Sequence, residues 1–231
     1  MTIPMMAVVQ PLGDSAAIIN WPDANDEEAA EQVASLSREL RDHWQESFEA
    51  VVPAFASVTL HYSPLKFSWS QIDEQIRIAM ECSRVETPAE SRHHEIPVCY
   101  ASEFVPDLDI VATAHGLTVQ QVIALHSEAQ YTVRMIGFSP GFPYLSGLPK
   151  QLATPRRSTP RLKVPAGAVA IGGRQTGIYS LETPGGWHII GRTPVAMFRP
   201  DLNPPCLLRA GDRVSFVPMS VDGFYNTRES L

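Results

Sequence analysis

Gly137-Phe138-Ser139-Pro140-Gly141-Phe142-Pro143-Tyr144-Leu145-Ser146-Gly147-Leu148-Pro149 holds three glycines, three prolines and three aromatics in thirteen residues. Proline fixes φ and removes a hydrogen-bond donor, while glycine admits positive φ. That density predicts an irregular segment with no regular helix or strand. Disordered chain is poor in aromatics, so the rings argue for a rigid, packed loop that builds a surface. The plainer alternative is a connection whose rings plug the end of a barrel. If Phe138, Phe142 and Tyr144 stand exposed, they form an apolar patch suited to a partner protein.

Around this loop the pattern is β-like. Short runs at 131–136, 168–171, 178–181, 187–190, 195–198 and 213–217 are separated by turn signals such as Gly172-Gly173, Pro184-Gly185-Gly186 and Gly211-Asp212. Of the chain's 14 glycines and 20 prolines, 21 lie between 137 and 205. This combination predicts a closed β-barrel with long loops. Upstream, a strand is expected at 96–100. A helix follows from about Asp107 to His115, closed by Gly116, and a second starts at Thr118, where Gln121 completes a capping box.

The first third reads differently. Alternation about Gly13-Asp14 predicts a hairpin. Asn25 with Glu28 suggests a capping box for a helix whose buried stripe is Ala29, Val33, Leu36, Leu40 and Trp44. A strand pattern returns over 48–62, with Pro53 marking an edge. Ser70 and Asp73 are expected to cap a second helix with Ile72, Ile76, Ala79 and Met80 inside. The order is ββαββα, a small two-layer α+β domain over residues 1–84. Residues 85–95, poor in large apolar side chains, read as a linker, and 96–231 as the barrel domain. His93-His94 sits there without a cysteine or acid at ligand spacing, which favours a surface role over a metal site.

Composition narrows the function. No apolar run approaches the ~18 residues of a membrane span, and residues 1–11 lack a signal-type pattern. Cys82, Cys99 and Cys206 are odd in number and far apart, as expected of reduced thiols in the cytoplasm. The net charge of −7 disfavours nucleic acid. Residues 137–199 nevertheless hold eight cations (Lys150, Arg156, Arg157, Arg161, Lys163, Arg174, Arg192 and Arg199) against Glu182, or +7. Such asymmetry suggests that the segment faces an anion.

No P-loop, GxGxxG, GxSxG or HExxH is present, so a self-contained nucleotide or hydrolase motif is excluded. What remains is a polar set. Arg156 and Arg161 each follow a proline and are candidates, with Lys163, for an anion clamp; the alternative is a solvated basic loop. His126 is a candidate general base, or else a buried, hydrogen-bonded histidine. Gln175 and Tyr179 lie beside glycines that admit close approach of a ligand, and Trp187 follows Pro184-Gly185-Gly186, where it either lines the same site or belongs to the core.

The ordered motifs Pro11-Leu12-Gly13-Asp14-Ser15-Ala16, Ile96-Pro97-Val98-Cys99-Tyr100, Leu125-His126-Ser127, the 137–145 stretch, Pro155-Arg156-Arg157, Pro160-Arg161, Val164-Pro165-Ala166-Gly167, Pro184-Gly185-Gly186-Trp187 and Gly191-Arg192-Thr193-Pro194 carry a resemblance over nearly the whole chain. The chain resembles the family of B-type 5-oxoprolinase subunits of bacteria, which includes allophanate hydrolase subunit 1 proteins and sporulation-kinase inhibitors. It departs at Ala168, where the family commonly shows serine. The resemblance implies a cyclophilin-like β-barrel after the small α+β domain. It also implies work with a larger C-type partner and with an A-type partner, in a 5-oxoprolinase assembly that uses ATP to open 5-oxo-L-proline to L-glutamate. Runner-up readings are a component that handles an allophanate- or urea-type amide and a regulatory inhibitor of a sensor histidine kinase.

Overall fold

The computed structural model describes residues 7–22, 26–83 and 91–229. The chain divides into two compact units, Met1–Ala89 and Glu90–Leu231. In the first, β1 (Val8–Pro11) and β2 (Ala16–Asn20) form the hairpin, α1 spans Asp26–His43, β3 (Ala50–Pro53) and β4 (Ser57–His61) follow, and α2 spans Trp69–Cys82. The strands make an antiparallel sheet in the order β1-β2-β4-β3. Pro53 sits on the edge strand β3, where a missing N–H costs no ladder bond. Alternation sends Ala17, Ile19, Val58 and Leu60 to one face, against Val33, Leu36 and Leu40 of α1 and Ile72, Ile76 and Ala79 of α2. The α2 cap lies two residues earlier than Ser70: Ser68 is the N-cap, and its N–H donates to Gln71 Oε1 at 2.9 Å. The capping box expected at Asn25 lies outside the described residues.

The second unit begins with β5 (His93–Cys99), so residues 93–95 are strand rather than linker. Two short helices follow, α3 (Leu108–His115) and α4 (Val119–Glu128). Gly116 ends α3 in the left-handed conformation, and Thr118 and Gln121 cap α4 reciprocally at 3.2 and 2.8 Å. Then come β6 (Tyr131–Ile136), β7 (Pro143–Ser146), β8 (Arg161–Val164), β9 (Ala168–Gly172), β10 (Gln175–Ile178), β11 (Thr183–Gly185), β12 (His188–Arg192), β13 (Arg213–Met219) and α5 (Val221–Glu229). Seven strands close a barrel in the order β10-β7-β6-β13-β5-β12-β9, while β8 and β11 pair separately. β5 runs parallel to β13.

Three strand assignments differ from the sequence reading. The last four residues of the proline- and glycine-rich stretch before Gly147 form β7, because Leu145 enters the core and pairs with Val133 and Thr176. The run expected at 178–181 is displaced: β10 ends at Ile178. Residues 195–198 make only an isolated bridge, Phe198 to Cys206.

All seven barrel strands feed one core, through Ile96, Val98, Val133, Leu145, Val169, Ile171, Ile178, Ile190, Val214 and Phe216. The opposite faces of β9 and β12 build a second cluster: Ala168, Ala170 and Ile189 pack with Phe142, Tyr179, Trp187 and Val164 of β8. Large rings fit there because the strands beneath them are bare. A Cβ on Gly172 would lie 2.5 Å from the Trp187 indole, and one on Gly177 would lie 2.8 Å from the Pro143 carbonyl oxygen and 2.9 Å from the Phe142 ring. Gly177→Ala is therefore expected to cost about 1–3 kcal/mol through overpacking. A denaturant midpoint equal to that of the wild type would show that the Phe142 ring has room to retreat.

Candidate functional site

The rim of this second cluster gathers most of the residues singled out from the sequence. Its foundation is one they did not include. Asp107, directly before α3, is fully buried, yet its carboxylate does not cap the helix. It accepts from Arg161 Nη1 at 2.8 Å and Nη2 at 2.7 Å, from Arg157 Nη1 at 2.9 Å, and from the Ile189 N–H at 2.7 Å. Its own N–H donates to the Ile189 carbonyl at 3.2 Å. A carboxylate this deep needs charged and hydrogen-bonded partners, and the two guanidiniums and a backbone amide provide them. Arg161 is thereby corrected: its fork is filled by Asp107 and is not open to a ligand.

Arg156 lies between these anchors and behaves differently. Arg157 N–H donates to the Gly186 carbonyl at 2.7 Å, and His188 Nε2 donates to the Pro155 carbonyl at 3.0 Å. The backbone on both sides of Arg156 is therefore fixed. Its exposed guanidinium stands 5.8 Å from the Trp187 ring centroid, a cation–π arrangement. Among the described residues it makes no ion pair.

The aromatics are mostly inside. Phe142 is 2% exposed, and Tyr179 and Trp187 are also buried. Phe142, Tyr179, Tyr144 and Trp187 meet edge to face, with centroids 4.9–5.8 Å apart where they touch. Phe142, Tyr179 and Trp187 are thus walls of a small core rather than open contact surfaces. Tyr144 is half-buried. Burial pushes its phenol up, and nearby Arg156 pulls it part of the way back. Tyr179 is likewise raised by burial, against the Trp187 backbone N–H and Arg156.

Phe138 is the ring that faces out, at 60% exposure. Its φ of 66° is the left-handed conformation, rare for a bulky residue and costing about 1–2 kcal/mol. Edge contacts to Phe142 and Tyr179, at 5.4 and 6.2 Å, hold it there. Strained conformations of this kind gather at functional sites. Gln175 opens β10 on the same side as Gly177, by strand alternation, and is half-buried. Lys163, 79% exposed, pairs at 3.1 Å with Glu182 on the surface, apart from the Asp107 cluster.

His126 is not a general base. It is completely buried and stacks on Phe216 at 4.6 Å. Thr176 Oγ1 donates to the Ala170 carbonyl, so it accepts from His126 Nε2–H at 3.0 Å; Nδ1 then accepts from the Tyr100 hydroxyl at 2.9 Å. Both nitrogens are occupied in a neutral ring, and burial lowers the imidazole to about 3. His93 Nε2 lies 2.8 Å from Ser215 Oγ, and His94 Nε2 lies 3.2 Å from Asp212, which also binds Arg92. Among the described residues no group of three or more histidine, cysteine or acidic side chains is arranged to hold a metal. No single described helix is long and apolar enough to cross a membrane.

Residues 7–208 match the family model described as "Carboxyltransferase domain, subdomain C and D". The chain is 40% identical to the B-type 5-oxoprolinase subunit of Bacillus subtilis over 96% of each chain. It belongs to the family of B-type 5-oxoprolinase subunits within the carboxyltransferase C/D group. Among solved structures, TTHA0988 aligns with a TM-score of 0.78 at 35% identity over 92% of this chain, which spans 40% of the length of TTHA0988. The Kluyveromyces lactis urea carboxylase aligns with a TM-score of 0.80 at 16% identity, covering 97% of this chain and 23% of that one, a likeness of fold. Members of the family are by name parts of larger assemblies, and the family places this chain with a hydrolase.

Proposed function

We propose that this chain is the B-type component of an ATP-dependent, cytoplasmic 5-oxoprolinase that opens 5-oxo-L-proline to L-glutamate together with A-type and C-type partner proteins. The observation that carries the reading is the match to a B-type 5-oxoprolinase subunit across 96% of both chains. The first unit then serves as a ββαββα domain, and the second as a cyclophilin-like barrel whose basic rim faces the shared site. Lactams hydrolyse slowly, so phosphorylation of the carbonyl oxygen is a reasonable route to activation. The chain has no nucleotide motif of its own, so ATP belongs with a partner. TTHA0988 carries the matching region inside a chain more than twice as long, which supports action beside a further protein module.

Arg156 and Gln175 stand at the substrate side of the rim, with Tyr144 beside them. Arg161, Tyr179 and Trp187 support these from behind, and Lys163 stays on the surface. Phe138 is the partner contact, since an exposed ring held in a strained conformation gains most when covered.

Affinity capture with the tagged chain, followed by an ATP-dependent 5-oxoproline assay, tests this reading. The captured complex should form glutamate, the chain alone should not, and amide exchange over 137–142 should slow in the complex. Turnover by the single chain, or a captured complex with no 5-oxoproline hydrolysis, rejects it.

A further inference from the structure

The cations of the basic segment are not equivalent. Arg157 and Arg161 are committed to Asp107, and Lys163 to Glu182. Arg156, one residue from the Asp107 cluster, has no acid among the described residues, yet its backbone is pinned on both sides. The His188–Pro155 and Arg157–Gly186 hydrogen bonds fix its backbone, and the Trp187 ring lies beneath its guanidinium. A fork presented this way loses little freedom when an anion binds. Two guanidiniums share one carboxylate at Asp107, so the neighbourhood also carries surplus positive charge.

We propose that Arg156 is the carboxylate-binding group of a subsite for a small monocarboxylate carried on a flat, uncharged body, and that the body rests against Tyr144. The inference rests on the 5-oxoprolinase reading and refines it. One open planar fork matches one carboxylate with two parallel N–H bonds. A doubly charged phosphoryl group calls for several donors, and the two nearest guanidiniums are already held by Asp107, Arg161 through two N–H groups and Arg157 through one. The half-buried Tyr144 is the ring of the cluster within the ligand's reach, since Phe138 is the partner contact and Phe142, Tyr179 and Trp187 lie beneath the surface. Flat bodies pack well on aromatic edges and faces. Tyr144 keeps its proton, because burial raises the phenol.

The test uses the assembled complex with Arg156→Gln and Arg156→Lys. Equilibrium dialysis of labelled 5-oxo-L-proline without ATP should show about tenfold or greater weakening in the Gln variant. KM should rise in parallel, with kcat within about twofold, because a uniform binding contact is lost. Lysine, which keeps the charge and loses the fork, should fall between. 2-Pyrrolidinone, the same lactam without its carboxylate, should bind wild type and Gln variant equally. Unchanged affinity for 5-oxoproline in the Gln variant, failure of that variant to assemble, or displacement of the label by inorganic phosphate would each overturn the subsite. If the wild-type complex turns over no 5-oxoproline, the functional reading falls alone: label held by wild type and lost in the Gln variant still supports the subsite, and no label held by wild type rejects it.

Discussion

Asp107→Ala should lower the stability of the barrel unit by about 3–5 kcal/mol, the usual penalty for removing one partner of a buried ion pair. The variant leaves Arg157 and Arg161 facing each other with no counter-charge, and strands the Ile189 amide that now donates at 2.7 Å. Asparagine is expected to do little better, since it turns donors toward two guanidiniums. For a unit of this size the loss corresponds to a fall of roughly 10 °C or more in melting temperature, measurable by calorimetry. Arg157→Ala should cost less, because Arg161 still satisfies the carboxylate in a bidentate way. A loss below about 1 kcal/mol for Asp107→Ala would mean that water replaces the missing partner. Such a variant should also lower activity, because the Asp107 brace holds the loop from which Arg156 projects.

The second large effect is on acid stability and belongs to His126. The folded imidazole titrates near 3, whereas an unfolded histidine titrates near 6.5. Below pH 6.5 the unfolded chain therefore binds a proton that the folded chain refuses. Stability from this group is complete above about 6.5 and is lost as the pH falls toward 3, by about 1.4 kcal/mol per pH unit. Between pH 6.5 and 4 the loss is about 3 kcal/mol. His126→Gln should be less stable at neutral pH, because the Thr176 and Tyr100 hydroxyls lose well-placed partners, but its stability should fall less steeply with acid. Parallel slopes for the two proteins over this window would contradict a neutral, buried His126. Nitrogen shifts of the ring should report the Nε2–H tautomer down to about pH 4.

Much of the architecture is legible in the sequence because it is local. Gly116 and the Thr118–Gln121 pair mark helix ends through bonds spanning a few residues, and Ala17, Ile19, Val58 and Leu60 alternate as a one-sided sheet requires. Strand β7 shows the limit. Pro143 at its start and the glycine after its end read as breakers, and only Leu145 entering the core reveals why four residues extend there. The site is half legible for the same reason. Counting charge along 137–199 finds eight cations and one acid, but the counter-ion for two of them is Asp107, some fifty residues upstream. It sits where a helix cap is expected, and nothing local distinguishes it from one. The sequence admits His126 as a candidate base because the partners that occupy it, Tyr100, Thr176 and Phe216, come from three distant strands or strand ends.

The parallel pairing of β5 with β13 has a consequence for synthesis. His93 lies beside Arg213, 120 positions later (213 − 93), and the two strands stay in register to Cys99 and Met219. β5's other neighbour, β12, also comes from the far end of the chain, through Arg192 opposite Cys99. A ribosome adding 5–20 residues per second needs roughly 6–24 s to deliver β13 after β5 has emerged. Until β12 emerges β5, with Ile96 and Val98 on one face, has both edges open to any passing strand, and until β13 follows it keeps one open. The barrel is a late, long-range closure of the kind that folds slowly, and a chain released before Arg213 leaves the main-chain groups on one edge of β5 and one edge of β6 unpaired.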